Sequence, residues 1–252
     1  MTRFLLGQII VGAVLIAGTA PTVATAQSAP LRNLTTDRPD TTESPFTVNA
    51  GHIQIETTLF GYGLAPRDAG GARLESVEIA TTNMRIGIGD STEIDIVLHP
   101  FGGIAAGSAA PRNMGIGGLD LRGKLNLWGN DGGSTALAVL PYVSIPLDAE
   151  NGIGPVDLDY GVLVPLSIDL GGPFGLGLNT GLTYRRDDSG TPYRLRVPAT
   201  ASLAIDMTDR IGGYYEVAAE YSVAPPPRSA SIQALPSLPA TRCSLMPGSV
   251  LA

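Results

Sequence analysis

The sequence predicts an all-β fold, an antiparallel up-and-down transmembrane β-barrel truncated at its C-terminus. Three observations predict it. Mean hydropathy is +0.19, yet no uninterrupted apolar stretch of helix length follows Ala26. Charged residues make up only 15% of the chain, against a typical ~25%. From His52 onward apolar and polar residues repeatedly alternate with period 2, the signature of a strand. Backbone groups in lipid are satisfied by helices or by closed barrels. The nearest helical candidate, Gly132 to Leu147, is broken by Gly and Pro and too short to span. A barrel is left.

The N-terminus predicts export. Arg3 is followed by an apolar run from Phe4 to Ala17, and small residues lead to Ala24-Thr25-Ala26, the pattern that signal peptidase reads. The run is short of the ~20 residues of a membrane anchor, and no Cys lies near the site. Residues 1–26 therefore read as a cleavable signal peptide. Residues 27–50 form a polar lead-in, expected at the periplasmic mouth or folded into the lumen.

Removal of Arg3 leaves 15 basic against 23 acidic residues, a net charge of −8. That balance disfavours a nucleic-acid partner, which would need clustered Lys and Arg. Lys124 is the only lysine and Cys243 the only cysteine, so no intrachain disulfide staples the fold. The length suits one domain.

Residues 51–223 divide into nine strand segments. In the first, Ile53, Ile55 and Leu59 oppose Gln54, Glu56 and Thr58. In the second, Ala80, Thr82, Met84, Ile86 and Ile88 oppose Thr81, Asn83 and Arg85. After the turn Gly89-Asp90-Ser91, Ile94, Ile96 and Leu98 alternate with Glu93, Asp95 and Val97. The sharpest segment sets Leu119, Leu121, Leu125 and Leu127 against Asp120, Arg122, Lys124 and Asn126. Two proline-containing segments follow, "STALAVLPYVSIPL" and "VDLDYGVLVPLSIDL", whose faces are poorly defined. Next, Phe174, Leu176, Leu178, Leu182 and Tyr184 oppose Gly175, Gly177, Asn179, Gly181 and Thr183. Beyond the turn at residues 187–190, Tyr193, Leu195, Val197, Ala199, Ala201 and Leu203 oppose Arg194, Arg196, Thr200 and Ser202. Last, Tyr215, Val217, Ala219 and Tyr221 oppose Tyr214, Glu216 and Glu220.

Half-buried strands of soluble sandwiches alternate too, so other features must decide. Many segments reach the ~9–11 residues that cross a bilayer at barrel tilt. Aromatics such as Tyr62, Trp128, Phe174, Tyr184 and Tyr221 collect near segment ends, as in an interfacial girdle. The apolar faces lack the large aromatics of a soluble core.

An odd count does not suit single-chain outer-membrane barrels, which have even numbers of strands. Residues 224–252 hold Pro225, Pro226, Pro227, Pro236, Pro239 and Pro247 and lose the alternation. Proline cannot donate to a ladder, so this tail is expected outside the sheet, with the segment Tyr214 to Val223 left as an edge or poorly closed onto the first strand. A Pro-rich linker is the plain reading and a shifted reading frame the sharper one.

No catalytic motif emerges. His52 and His99 lack metal-ligand spacing, the serines of "TYRRDDSG" and "IGDST" belong to turns, and "GIGGLD" lies within a strand and opens no helix. The chain calls for no cofactor or metal. Candidate solute-path residues are the lead-in's Asp37, Arg38, Asp40 and Glu43 with the inward Gln54, Glu56, Arg85, Asp95, Asp120, Arg122, Lys124, Arg194, Arg196, Glu216 and Glu220. They suit a solute path or a static lumen network equally, because small barrels often have filled interiors. Lys124, as a lumen residue, is expected to be replaceable by Gln without loss of assembly.

Asp37 to Asp40, Thr42 to Ser44, and Gly51, His52, Gln54 and Glu56 make a D-R-P-D, T-E-S, G-H-x-Q-x-E series. From Leu34 to Val223 the chain resembles an outer-membrane, transporter-like family labelled with the MetA pathway of phenol degradation. "GIGGLDLRGKLNLWGN", "LPYVSIPL" and "GLNTGLTY" resemble its middle strands. The resemblance implies a barrel in the outer membrane of a Gram-negative bacterium, with lipid and the barrel-assembly machinery as partners. It also implies a link to aromatic compounds and brings no catalytic motif. The terminal aromatic that the assembly machinery reads is replaced here by Ala252. The expected function is a passive channel or transporter for small solutes; a barrel enzyme acting on lipid or envelope substrates and a structural barrel without flux are the alternatives.

Overall fold

The computed structural model describes residues 31–38, 41–67, 73–106, 113–186, 191–208, 211–223 and 240–247. Among them twelve strands form one antiparallel sheet. The strands are β1 (Ile53–Arg67), β2 (Arg73–Gly89), β3 (Thr92–Leu98), β4 (Phe101–Ala106), β5 (Asn113–Gly115) and β6 (Gly118–Trp128). There follow β7 (Thr135–Pro146), β8 (Asp159–Gly171), β9 (Phe174–Arg185), β10 (Arg194–Thr208), β11 (Ile211–Ser222) and β12 (Ala240–Pro247).

Ten crossings, not nine, account for the twelve strands. β2 pairs on one side with β1 and on the other with β3 and then β4. β3 and β4 are thus one crossing interrupted at His99-Pro100. Across it, β5 pairs β4 and β6 pairs β3, so these two also make one crossing. Ala80, at φ 57°, kinks β2 beside that interruption. The tenth crossing is β12, which pairs β11 from Ile211↔Pro247 to Ala218↔Ala240. This corrects the expectation that the whole tail lies outside the sheet and leaves β11 at an edge. Ala240 to Met246 contains no proline, so its backbone N–H groups can serve a ladder; residues 224–239 and 248–252 lie outside the described residues.

Proline inside a central strand is also less disruptive here than expected. Pro141, Pro165 and Pro198 lie within β7, β8 and β10. In all three strands one ladder is interrupted beside the proline: between Arg196↔Thr183 and Ala199↔Thr180, between Arg122↔Tyr142 and Leu125↔Val139, and between Leu137↔Leu166 and Leu140↔Leu163. A missing N–H opens a local gap and the ladder resumes beyond it.

The sheet is curled. Flat, β1 and β11 would be eight strand spacings apart, about 38 Å. Yet Asp37 N donates to Glu56 Oε2 of β1 at 2.9 Å, and Thr41 N donates to Glu216 Oε1 of β11 at 2.9 Å. Four residues of chain reach at most about 14 Å, so the two strands must bend toward each other around the lead-in. Among the described residues no ladder joins β1 to β12.

The faces are inverted relative to a water-soluble protein. Among the described residues, eighteen polar or charged side chains are buried and only six hydrophobic ones. Ile55 is 67% exposed and Leu59 78%, and Leu121, Leu125, Leu127, Val217 and Tyr221 are exposed as well. Arg85, Glu93, Asp95, Asn83 and Lys124 are buried on the concave side. A large exposed apolar face with buried charge behind it is the informative departure. The strands meet at two ends: β2–β3, β6–β7, β8–β9 and β10–β11 follow one another at the short-turn end, and β1–β2, β4–β5, β7–β8, β9–β10 and β11–β12 at the other, where the stretches of chain between strands are mostly longer.

Candidate functional site

The site begins with the lead-in, which runs through the concave side from the short-turn end. Its entry is fixed by backbone bonds, Gly51 N to Gly87 O at 2.8 Å and Gly87 N to His52 O at 3.0 Å. A Cβ at Gly87 would collide with the carbonyls of Val48 and Asn49, so only glycine lets the lead-in press this close. Gly177 of β9 serves similarly, because a Cβ there would crowd the Thr42 methyl.

Beyond the entry, side chains of the wall hold the lead-in's backbone. Val48 N donates to Glu93 Oε2 at 2.6 Å, Thr47 N to Asn130 Oδ1 at 2.9 Å, and Asn126 Nδ2 to Pro45 O at 2.8 Å. Glu43 pairs with Arg122, and the Asn179 amide bonds both backbone groups of Glu43. Thr42 donates through N and Oγ1 to Glu216 Oε1, each at 2.7 Å, and its hydroxyl lies 2.9 Å from Thr200 Oγ1. One segment thereby touches β1, β3, β6, β9, β10 and β11.

At its centre lies a cluster of six charged groups from the wall and the lead-in. Arg85 pairs with Glu56 at 3.0 Å, Glu93 at 2.9 Å and Asp37 at 3.5 Å. Lys124 Nζ lies 2.7 Å from Asp37 Oδ2 and 2.9 Å from Glu93 Oε1. Cross-strand register explains the convergence, since Glu93 faces Lys124 and Asp95 faces both Arg85 and Arg122. Burial alone would raise the Asp37 carboxyl, but the Lys124 and Arg85 charges and the hydrogen bonds from Lys124 and Ser44 override it and hold it at about 2. Asp37, Glu93 and Asp95 bring oxygens within 4.8 Å of one another. The Lys124 ammonium stands between two of them, supplying the positive charge a metal ion would bring. Asp95 differs from its neighbours: it is fully buried, and neither of its oxygens accepts a hydrogen bond from the protein.

The other predicted residues fall outside this cluster. Gln54 is half-buried and donates to Thr35 O and Glu56 Oε1. Asp120 bonds Arg122 at 2.7 Å and lies 3.7 Å from His99 Nε2. Ser144 hydrogen-bonds the same carboxylate. The acid therefore sits between serine and imidazole, which is not the order in which an imidazole activates a nucleophile. Arg38 is half-buried, and Asp40 lies outside the described residues. Glu220 accepts from Arg196 at 2.9 Å and from Arg185 at 2.7 Å near the long-loop end, where Arg194 is exposed. The sequence reading set Glu93, Asn126 and Asn179 on the polar faces of their strands but left them out of the solute path, and it missed Arg185, which period 2 carried on from Thr183 places inward.

Residues 36–226 match the family described as "Putative MetA-pathway of phenol degradation". The chain belongs to that family. No curated protein matches the sequence. The family match takes in the lead-in from Thr36 onward as well as β1 to β11, so the lead-in and its wall fall within one match.

Proposed function

We propose that this chain is an outer-membrane barrel, exported by its signal peptide, that passes small solutes, aromatic compounds among them. One observation carries the reading: the exposed outer face is apolar while the concave face is polar and charged. That arrangement suits lipid outside and water or solute inside. The family's description supports the aromatic part, because it names a phenol-degradation pathway. On this reading the short-turn end faces the periplasm, and the lead-in enters from there. Outer-membrane lipid and the barrel-assembly machinery are the partners it requires. No catalytic role is proposed.

A barrel without flux is the second reading, favoured by the lead-in that crosses the lumen from β1 to β11. Liposome swelling separates the two. Proteoliposomes should swell faster in a small aromatic acid than protein-free vesicles, and less in a neutral disaccharide. Swelling no faster than in protein-free vesicles, with every solute tried, would sink the channel reading.

A further inference from the structure

We propose that the lead-in is a releasable plug, and that Asp95 is built into the wall to take over Lys124 when Asp37 leaves with it. The inference rests on the channel reading above.

Three features of the lumen support release over permanent closure. The first is the kind of bond. Beyond Gly51 and His52, which bond the backbone of Gly87, the lead-in's amides at residues 37, 41, 42, 47 and 48 all donate to wall side chains. Side-chain partners can be exchanged without opening the sheet, whose own ladders stay intact. Gly51 and His52 would then act as the fixed end and the rest as the moving part.

The second feature is charge. With the plug seated, the cluster holds Asp37, Glu56, Glu93 and Asp95 against Arg85 and Lys124. Four acidic side chains share two cations in a site removed from water. Withdrawal of Asp37 leaves Glu56, Glu93 and Asp95 beside Arg85 and Lys124, so both cations keep acidic partners in the wall.

The third is Asp95 itself. A fully buried acidic side chain with no hydrogen-bond partner is costly, and it is out of place in a cluster whose other acids are paired. One of its oxygens lies within 4.8 Å of an Asp37 oxygen and of a Glu93 oxygen, and Lys124 contacts both of those side chains. A small swing of the lysine side chain exchanges one partner for the other. The lysine therefore has a partner in both states, which is what a two-state element requires.

The test is a tether. Thr42 and Thr200 have hydroxyls 2.9 Å apart, so Thr42→Cys with Thr200→Cys, in a chain carrying Cys243→Ser, should form a disulfide that pins the plug to β10. Single-channel recording in planar bilayers, with and without reductant, reads the result. Conductance should be absent in the oxidised protein and return on reduction. Equal conductance in both states overturns the plug and leaves the channel standing. Silence in both overturns release; deletion of residues 34–46 then decides the channel itself, which survives only if the deleted protein conducts. Two further variants examine the mechanism. Glu216→Gln, which weakens the anchor of Thr41 and Thr42, should raise the open fraction about tenfold, the worth of one charge-assisted hydrogen bond. Asp95→Asn should lower the open fraction without changing conductance of the open channel. An unchanged open fraction in Asp95→Asn removes the stand-in role.

Discussion

The two ends of the lumen treat inward charge differently. At the short-turn end Arg85, Glu93 and Lys124 are fully buried and paired, partly through the lead-in. Toward the long loops Arg185, Arg196 and Glu220 pair within the wall, with side chains 38%, 15% and 27% exposed. Strand alternation turns charge inward at both ends, yet the energetic consequence depends on what fills the space. Water can screen the second group, whereas the first has only its partners. A buried charge that loses its partner leaves the other uncompensated, and an exposed pair contributes little.

The largest expected effect follows from that contrast. Lys124→Gln should cost about 3–5 kcal/mol, because Asp37 and Glu93 lose their shared cation. This reverses the expectation that a lumen-side lysine can be replaced freely; the sequence shows the face but not the lead-in that buries it. Glu220→Gln should cost less than about 1 kcal/mol. Urea unfolding of the refolded protein in detergent micelles measures both, and equal losses would erase the distinction between the two ends.

The inner and outer faces of β6 give the next contrast. Leu121 is outward and 38% exposed, one residue from the half-buried Arg122. Leu121→Arg should cost about 2–4 kcal/mol in a bilayer, where the new charge meets hydrocarbon. In detergent the loss should shrink, since the head can reach water. A larger loss in detergent than in lipid would place Leu121 against protein instead.

These comparisons also show what the sequence could carry. In β3 and β6 large apolar and charged residues alternate, so both faces were legible. In β7 Ala136, Ala138 and Leu140 point inward and are buried, and a small apolar inner face looks the same as an outer one. The tenth crossing was hidden because prolines bracket Ala240 to Met246. The plug was the least legible part. Its contacts with Glu216 span 174 and 175 residues, and no local period announces a partner so distant.

The last comparison sets Asp37 in the plug against the same chain carrying Asp37→Asn. Lys124 and Arg85 hold the Asp37 carboxyl at about 2 in the folded protein, below its ordinary 3.8. A carboxyl whose folded value is depressed stabilises the fold fully above the unfolded value and loses that contribution as pH falls through the folded one. Asp37 should therefore make the parent more stable than the variant by about 2 kcal/mol at neutral pH. The gap should stay level from pH 7 to near 4 and close only toward pH 2. Unfolding both proteins across that range measures it. A gap already closing between pH 7 and pH 5 would mean that Asp37 is not held by Lys124, and the buried cluster would lose its link to the plug.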